Sequence, residues 1–268
     1  MADPAPLRVP PPGYAPAPDL LADRVVLVTG AGAGLGRALA LACARHGATV
    51  VLLDREVRAL EAAYDAIEAA GGPQPAIYPL DLAGAAPPDY EALATRVGET
   101  LGRLDALVHN AAFLGALSPI EHHDPDLWAR ALQVNLTAPF LLTRACLPLL
   151  KAAPAGAVLF VSDAVGRRGR AYWGAYAASK AGIENLAETL ADELEANTRV
   201  RVATLDPGPL RTGLRRIAYP GEAPGEVPPP ESAVPACLWF LGPEGAAARG
   251  ARLAAARPTP AAASGTES

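Results

Sequence analysis

Cysteine is scarce in this chain of 268 residues: Cys43, Cys146 and Cys237 lie far apart and match neither a metal-binding nor a redox spacing. They read as small buried hydrophobic side chains in a reducing compartment. Long apolar runs are also missing. No segment offers the roughly 18 uninterrupted apolar residues of a membrane span, and the first residues lack the basic stretch followed by an apolar block that marks a secretory leader. A cytoplasmic location without a membrane partner is expected. Positive charge is in deficit, with 23 Lys and Arg against 28 Asp and Glu, and the net charge of -5 supplies no bulk attraction for nucleic acid or anionic lipid. Histidine is rare as well. His122-His123 have no third histidine or carboxylate at ligand spacing, and His46 falls near a helix C-terminus that simply favours partial positive charge, so no metal site is expected.

What is present is a regular alternation of short apolar runs and amphipathic segments. Residues 1–19 are rich in proline without apolar periodicity and are expected to form a flexible arm. Arg24 to Thr29, Thr49 to Leu53, Ala76 to Leu80, Asp105 to His109, Gly156 to Val161 and Arg199 to Leu205 read as strands. Their near-continuous apolar character is that of strands buried on both faces of a parallel sheet. Helices are expected between them, including a long one from Asp124-Pro125 to about Lys151 that Pro139 and Pro148 interrupt, and another over Tyr172 to Ala196. The fold class is therefore α/β, a single doubly wound parallel sheet with helices on both faces. The domain spans residues 20–255, including a loop at about 213–230, a helix from Ser232 to Leu241 and a short last strand from Ala251 to Ala254; residues 256–268 form a disordered tail.

In such a sheet, ligands bind beyond the carboxyl ends of the strands. There the first strand runs into Gly30, Gly32, Gly34 and Gly36, which open a helix, and the second strand closes on Asp54. Glycines permit close backbone approach to a pyrophosphate, a helix N-terminus meets its charge, and a carboxylate holds the adenosine ribose hydroxyls. Asp54 favours NAD because it repels a 2′-phosphate, while the adjacent Arg55 leaves NADP possible. Further along, Tyr176 and Lys180 stand four residues apart and share one helix face. A nearby ammonium lowers a phenol's pKa from its usual value of roughly 10, fitting the tyrosine to exchange a proton at neutral pH.

The combination of Thr29-Gly30-x-x-x-Gly34-x-Gly36, Asp81, Asn110-Ala111, Asn135, Tyr176-x-x-x-Lys180 and Asp206-Pro207-Gly208 resembles the short-chain dehydrogenase/reductase family over roughly Leu21 to Leu253. The segment from Val165 to Tyr176 is most similar to its YciK-type branch. The resemblance implies a Rossmann-like domain and hydride transfer between a nicotinamide cofactor and a small secondary alcohol or carbonyl substrate. It implies Tyr176 as general acid or base, Lys180 as the group that acidifies it and holds the nicotinamide ribose, and Asn135 as the holder of a relay water. Asp81 and Asn110 would serve the adenosine half, Pro207, Gly208 and Thr212 the nicotinamide half. Leu35, Leu82 and Ala111 complete the cofactor set. Residues 213–230 would form a lid, and a homodimer or homotetramer would assemble through the helices carrying Asn135 and Tyr176.

The sequence departs from the family pattern twice. Ala112 replaces the glycine of Asn-Ala-Gly, and Asp163 occupies the position of the catalytic serine, thirteen residues before Tyr176. An ionised aspartate cannot donate a hydrogen bond to a substrate carbonyl, repels a developing oxyanion and raises the pKa of a neighbouring phenol. Three readings follow. Asp163 accepts the hydroxyl proton of an alcohol, or is held protonated and donates as serine does, or leaves a catalytically weak dinucleotide-binding sensor or scaffold. Ser162 is expected on the opposite face of the strand. Arg167, Arg168 and Arg170 are too short a cluster for nucleic acid in an acidic chain and point instead to an anionic substrate or a neighbouring subunit.

Overall fold

A computed structural model describes residues 8–223 and 225–255. Seven strands, β1 (Val25–Thr29), β2 (Thr49–Asp54), β3 (Ala76–Pro79), β4 (Ala106–His109), β5 (Ala157–Val161), β6 (Arg201–Asp206) and β7 (Ala251–Ala254), form one sheet in the order β3-β2-β1-β4-β5-β6-β7. Every pairing is parallel.

Period-two alternation divides each strand between two cores. Val26 and Val28 of β1 face one side with Leu52 and Leu159, against α1 (Gly34–Arg45), α2 (Val57–Ala69) and α8 (Val234–Leu241). Val25 and Leu27 face the other with Val51, Leu107 and Phe160, against α3 (Pro87–Leu101), α5 (Ala138–Ala152) and α6 (Gly174–Glu195). Each such aliphatic side chain contributes roughly 1.5–3 kcal/mol by leaving water, and a one-residue slip would turn every one of them to the wrong layer. Register is fixed accordingly. The chain winds outward from β1 to β3, returns to β4 beside β1 and winds outward again, so the strand order reverses between β1 and β4. A crevice opens there at the carboxyl ends.

Several local expectations are corrected. The helix foreseen from Asp124 to Lys151 is α4 (Pro125–Leu132), a π-turn (Gln133–Thr137) and then α5. Asp124 starts it by accepting the Asp126 N–H at 2.8 Å. The stretch at 213–230, foreseen as loop, begins with a short helix, α7 (Gly213–Ala218), capped by the Thr212 hydroxyl, which accepts the Arg215 N–H at 3.2 Å. The N-terminal segment is not purely a loose arm: the Arg8 N–H donates to the Arg252 carbonyl at 2.8 Å and its carbonyl accepts from Ala254 N–H at 2.9 Å, a parallel bridge along the outer edge of β7. The tail at 256–268 and residues 1–7 of the arm lie outside the described residues. Cys43, Cys146 and Cys237 are free and buried. Among the described residues no helix is long and apolar enough to cross a membrane.

Candidate active site

The glycine turn lies where the strand order reverses. Gly30 leaves β1 at φ +67°, a left-handed conformation suited to glycine, and a Cβ on Gly36 would stand 2.1 Å from the Gly30 carbonyl oxygen. The two segments therefore touch backbone to backbone. Ala33, at the N-cap of α1, brings no side-chain acceptor, so the first amides of that helix point into the cleft uncapped. Such a terminus fits a pyrophosphate. Leu35 and Gly34 line the same wall, and the Thr212 methyl approaches the place of a Gly34 Cβ at 3.3 Å. Thr29 joins the ends of β1 and β4: its buried hydroxyl accepts the N–H groups of Asn110 and Ala111, both at 3.0 Å, while Asn110 Nδ2 donates to the Thr29 carbonyl at 3.0 Å.

One lobe of the crevice, about 260 Å³, is bounded by Asp54, Arg55, Asp81, Leu82 and Val134. Asp54 is held rigidly, accepting from Gly32 N–H at 3.1 Å, Arg55 N–H at 2.8 Å and Glu56 N–H at 3.2 Å. The Arg55 side chain is half exposed and, among the described residues, pairs with Glu56, itself exposed, at 3.4 Å. Such a pair is worth little and is easily exchanged. Asp81 accepts the Ala83 N–H at 3.0 Å, which orients its carboxylate at the end of β3.

The larger lobe, about 560 Å³, brings together Gly30, Asp163, Tyr176, Lys180, Gly208 and Thr212. Pro207 lies on its rim, and Gly208 turns back at φ +68° with its N–H donated to Asp206 at 2.9 Å. Lys180 is buried; its Nζ donates to the Val161 carbonyl at 2.7 Å and lies 5.5 Å from the centre of the Tyr176 ring. Burial lowers its pKa to about 8, partly offset by the charges of Asp163 and Glu184. Tyr176 departs from expectation. Its pKa is raised, first by burial, then by the charge of Asp163 and hydrogen bonding with it, then by Asp206. The i, i+4 spacing brought the lysine to the ring, but desolvation and two carboxylates outweigh it.

Asp163 follows β5 and enters a 3-10 turn (Ala164–Gly166), accepting the Val165 N–H at 3.0 Å. Ser162 also borders the cleft, but its hydroxyl is buried without a hydrogen-bond partner among the described residues. Asn135 sits at the middle of the π-turn, completely buried. Its Oδ1 accepts the Phe113 N–H at 2.7 Å, and its Nδ2 donates to the Phe113 carbonyl at 2.8 Å and to Ser179 Oγ at 3.0 Å. The side chain assigned to a relay water is thus committed to protein, and it fastens the segment after β4 to α6.

Arg167, expected with Arg168 and Arg170 to meet an anionic substrate or a neighbouring subunit, lies 3.4 Å from both Glu184 and Asp206, clamping the turn that carries Asp163 onto α6 and the end of β6. Other groups escaped the sequence reading. Glu184 could have been found, since it extends the Tyr176, Lys180 row by one more helical step. Arg215 forks onto Glu222 at 2.8 and 2.6 Å and stacks 3.7 Å over the Tyr219 ring. The residues after 213 carried no periodic signal for that. His122 pairs with Glu121 at 3.6 Å and His123 packs edge-on to Trp128, and the described residues contain no group of three potential metal-ligating side chains.

Comparison with known proteins gives consistent relationships. The family profile described as short chain dehydrogenase matches residues 24–222. The uncharacterized oxidoreductase YciK of Escherichia coli is 43% identical over 229 residues, covering 85% of this chain and 90% of the relative. The trans-4-hydroxycyclohexanecarboxylate dehydrogenase of Sinomonas cyclohexanicum is 37% identical over 210 residues, 74% of this chain and 78% of that protein. A short chain dehydrogenase from Shigella flexneri complexed with NADP superposes with a TM-score of 0.87 at 41% identity, covering 89% of this chain and 99% of the other. With its glycine turn, parallel sheet and Tyr176–Lys180 pair, the chain belongs to the short chain dehydrogenase family.

Proposed function

We propose that this protein is an NADP(H)-dependent oxidoreductase that interconverts a cyclic secondary alcohol and its ketone, with oxidation as the favoured direction. The observation that carries the reading is the shared placement of Asp163, Tyr176 and Lys180 in the cleft onto which the uncapped terminus of α1 opens. When bound, the cofactor supplies the hydride acceptor or donor. The first turn of α1 holds its pyrophosphate, Asp81 and Leu82 the adenine side, and Lys180, Pro207, Gly208 and Thr212 the nicotinamide side. The preference for NAD inferred from Asp54 is revised, because a close structural neighbour is complexed with NADP. The guanidinium of Arg55 meets the 2′-phosphate once released from Glu56, while Asp54 keeps the discrimination modest by repelling it.

Tyr176 exchanges the proton of the substrate oxygen. Asp163 accepts hydrogen bonds and does not donate them when ionised, so it complements an alcohol and opposes the oxyanion of a ketone under reduction. Lys180 supplies the opposing positive charge beside the phenol, and Asn135 fixes the Phe113 segment against the helix that carries both. Cyclic substrates are proposed because a relative acts on trans-4-hydroxycyclohexanecarboxylate. The test is a panel of cyclohexanol, trans-4-hydroxycyclohexanecarboxylate and their ketones, each with NADP(H) and NAD(H). Alcohol oxidation by the wild type, and a gain of ketone reduction in Asp163→Ser, are expected. The position of Asp163 also favours a second reading, a dinucleotide-binding protein with little catalysis; a silent wild type with turnover appearing only in Asp163→Ser would select it.

A further inference from the structure

The outer end of the cleft holds a cation that the catalytic reading leaves unused. Arg170 and Arg215 both border it. Arg215 is engaged by Glu222 through two hydrogen bonds of 2.8 and 2.6 Å. Arg170 has no carboxylate partner among the described residues; its Nη1 donates to the Tyr219 hydroxyl at 2.5 Å, and the guanidinium lies 5.7 Å from that ring's centre. A guanidinium carries five N–H donors in a planar fork, so most of Arg170's donors remain for a ligand.

Between Arg170 and the reacting end the cleft is lined by the aromatic rings of Trp173 and Tyr219. The Trp173 ring packs 5.7 Å from that of Tyr176 and 6.0 Å from that of Tyr219, and Tyr219 in turn meets Arg170. Ala218 also lines the cleft on this side, beside the largely buried Trp173. A molecule whose oxygen reaches Tyr176 and which extends to Arg170 passes Trp173 and Tyr219 on the way. Asp163 and Asp206 are half-buried within the cleft, Asp206 facing Arg167 at 3.4 Å, whereas the Arg170 guanidinium is exposed and without a carboxylate partner among the described residues.

From this arrangement we infer that the substrate bears a carboxylate at the end away from its reacting carbon, separated from it by an apolar body that lies along Trp173 and Tyr219, and that Arg170 binds that carboxylate. The inference rests on the oxidoreductase reading of the same cleft and adds the substrate class to it. By bonding Tyr219 at the end of α7, Arg170 also ties anion recognition to a helix that lines the cleft. Arg170 is exposed, and a forked, charge-assisted contact there is worth about ten-fold in affinity.

The experiment compares trans-4-hydroxycyclohexanecarboxylate with its methyl ester, which has the same ring and alcohol but no charge, in wild type, Arg170→Lys and Arg170→Ala. Steady-state kinetics with NADP⁺ are paired with calorimetric titration of each compound into the protein–NADPH complex, and circular dichroism verifies that each variant is folded. We expect the acid to exceed the ester by at least about ten-fold in kcat/KM and in affinity, the ratio to collapse toward unity in Arg170→Ala through KM, and Arg170→Lys to retain part of it. Equal handling of acid and ester by the wild type, or a ratio that survives Arg170→Ala, overturns the inference while leaving the oxidoreductase reading intact. Binding of the acid that depends on Arg170 without turnover of either compound sustains anion recognition and removes the catalytic reading instead. Absence of both binding and turnover for the acid overturns the inference.

Discussion

The ammonium of Lys180 stands 5.5 Å from the centre of the Tyr176 ring while donating its hydrogen bond to the Val161 carbonyl at 2.7 Å. It faces the ring from a burial that pushes its own pKa down to about 8, and the phenol beside it is pushed up by burial and by Asp163. Removing the carboxylate should lower the phenol's pKa. The rising limb of the pH profile for alcohol oxidation is expected to move toward acid by about one unit in Asp163→Ser. Because the phenol titrates above its ordinary value of about 10 in the wild type, kcat/KM still climbs at pH 10, and the shift is read as an about ten-fold rise at each pH from 6 to 10; an unchanged profile would separate Asp163 from the titration of Tyr176.

Lys180 also links stability to pH. Its folded pKa of about 8 lies below the ordinary value of 10.5, so between the two the unfolded chain binds the extra proton and this group's contribution to stability rises with pH. The cost of burying the ammonium is fully present below about pH 8. Urea unfolding of wild type and Lys180→Met should therefore differ most at neutral pH in favour of the variant, with the difference shrinking toward pH 10. A constant difference would place the charge elsewhere.

Arg55 and Asp54 should act oppositely on cofactor choice. Arg55→Ala is expected to weaken NADP⁺ by about ten-fold and NAD⁺ much less, since one charge-assisted contact to phosphate is lost. Asp54→Ala should tighten NADP⁺ and weaken NAD⁺. Equilibrium titration of both cofactors measures the two ratios, and identical losses for both cofactors in Arg55→Ala would exclude a phosphate contact.

Gly36 and Gly84 form a matched comparison. A Cβ at Gly36 meets the Gly30 carbonyl oxygen at 2.1 Å and Asn110 Nδ2 at 2.4 Å, whereas one at Gly84 meets nothing within 4 Å. Gly36→Ala is expected to cost about 3 kcal/mol or more through overpacking, lowering Tm by several degrees and abolishing dinucleotide binding. Gly84→Ala should stay within about 0.5 kcal/mol of wild type. Differential scanning calorimetry distinguishes them.

Asn135→Ala should destabilise the fold as well as reduce activity. It leaves the Phe113 N–H and carbonyl without the partners that now stand at 2.7 and 2.8 Å. Leaving such half-buried groups unpaired costs about 1 kcal/mol each, at the low end of the range for buried ones, so a fall in the urea midpoint is expected. Lost activity at unchanged stability would mark a purely chemical role.

The sheet was legible in the sequence because strands such as Val25–Thr29 and Ala157–Val161 are apolar at every buried position but the last of β1, and a parallel sheet covered on both sides demands that pattern. The cofactor cradle was legible because a backbone contact like Gly36 to Gly30 requires glycine. The sign of the Tyr176 shift was not, since spacing along a helix shows which groups are neighbours but not how deeply they are buried. Helix α7 escaped because it is stabilised by the Thr212 cap and by the fork of Arg215 on Glu222 rather than by apolar periodicity. The Arg8 bridge escaped because main-chain pairing leaves no side-chain signature, and the commitment of Asn135 because its partners belong to a distant loop backbone.

Trp173 touches the rings of both Tyr176 and Tyr219, so one indole spans the seam between the long helix of the reaction centre and the turn that ends α7. Any separation of those two parts admits water onto that indole. With Trp128 and Trp239 replaced by phenylalanine, its emission wavelength would report any such separation without an added label, on the timescale of a stopped-flow mixing experiment.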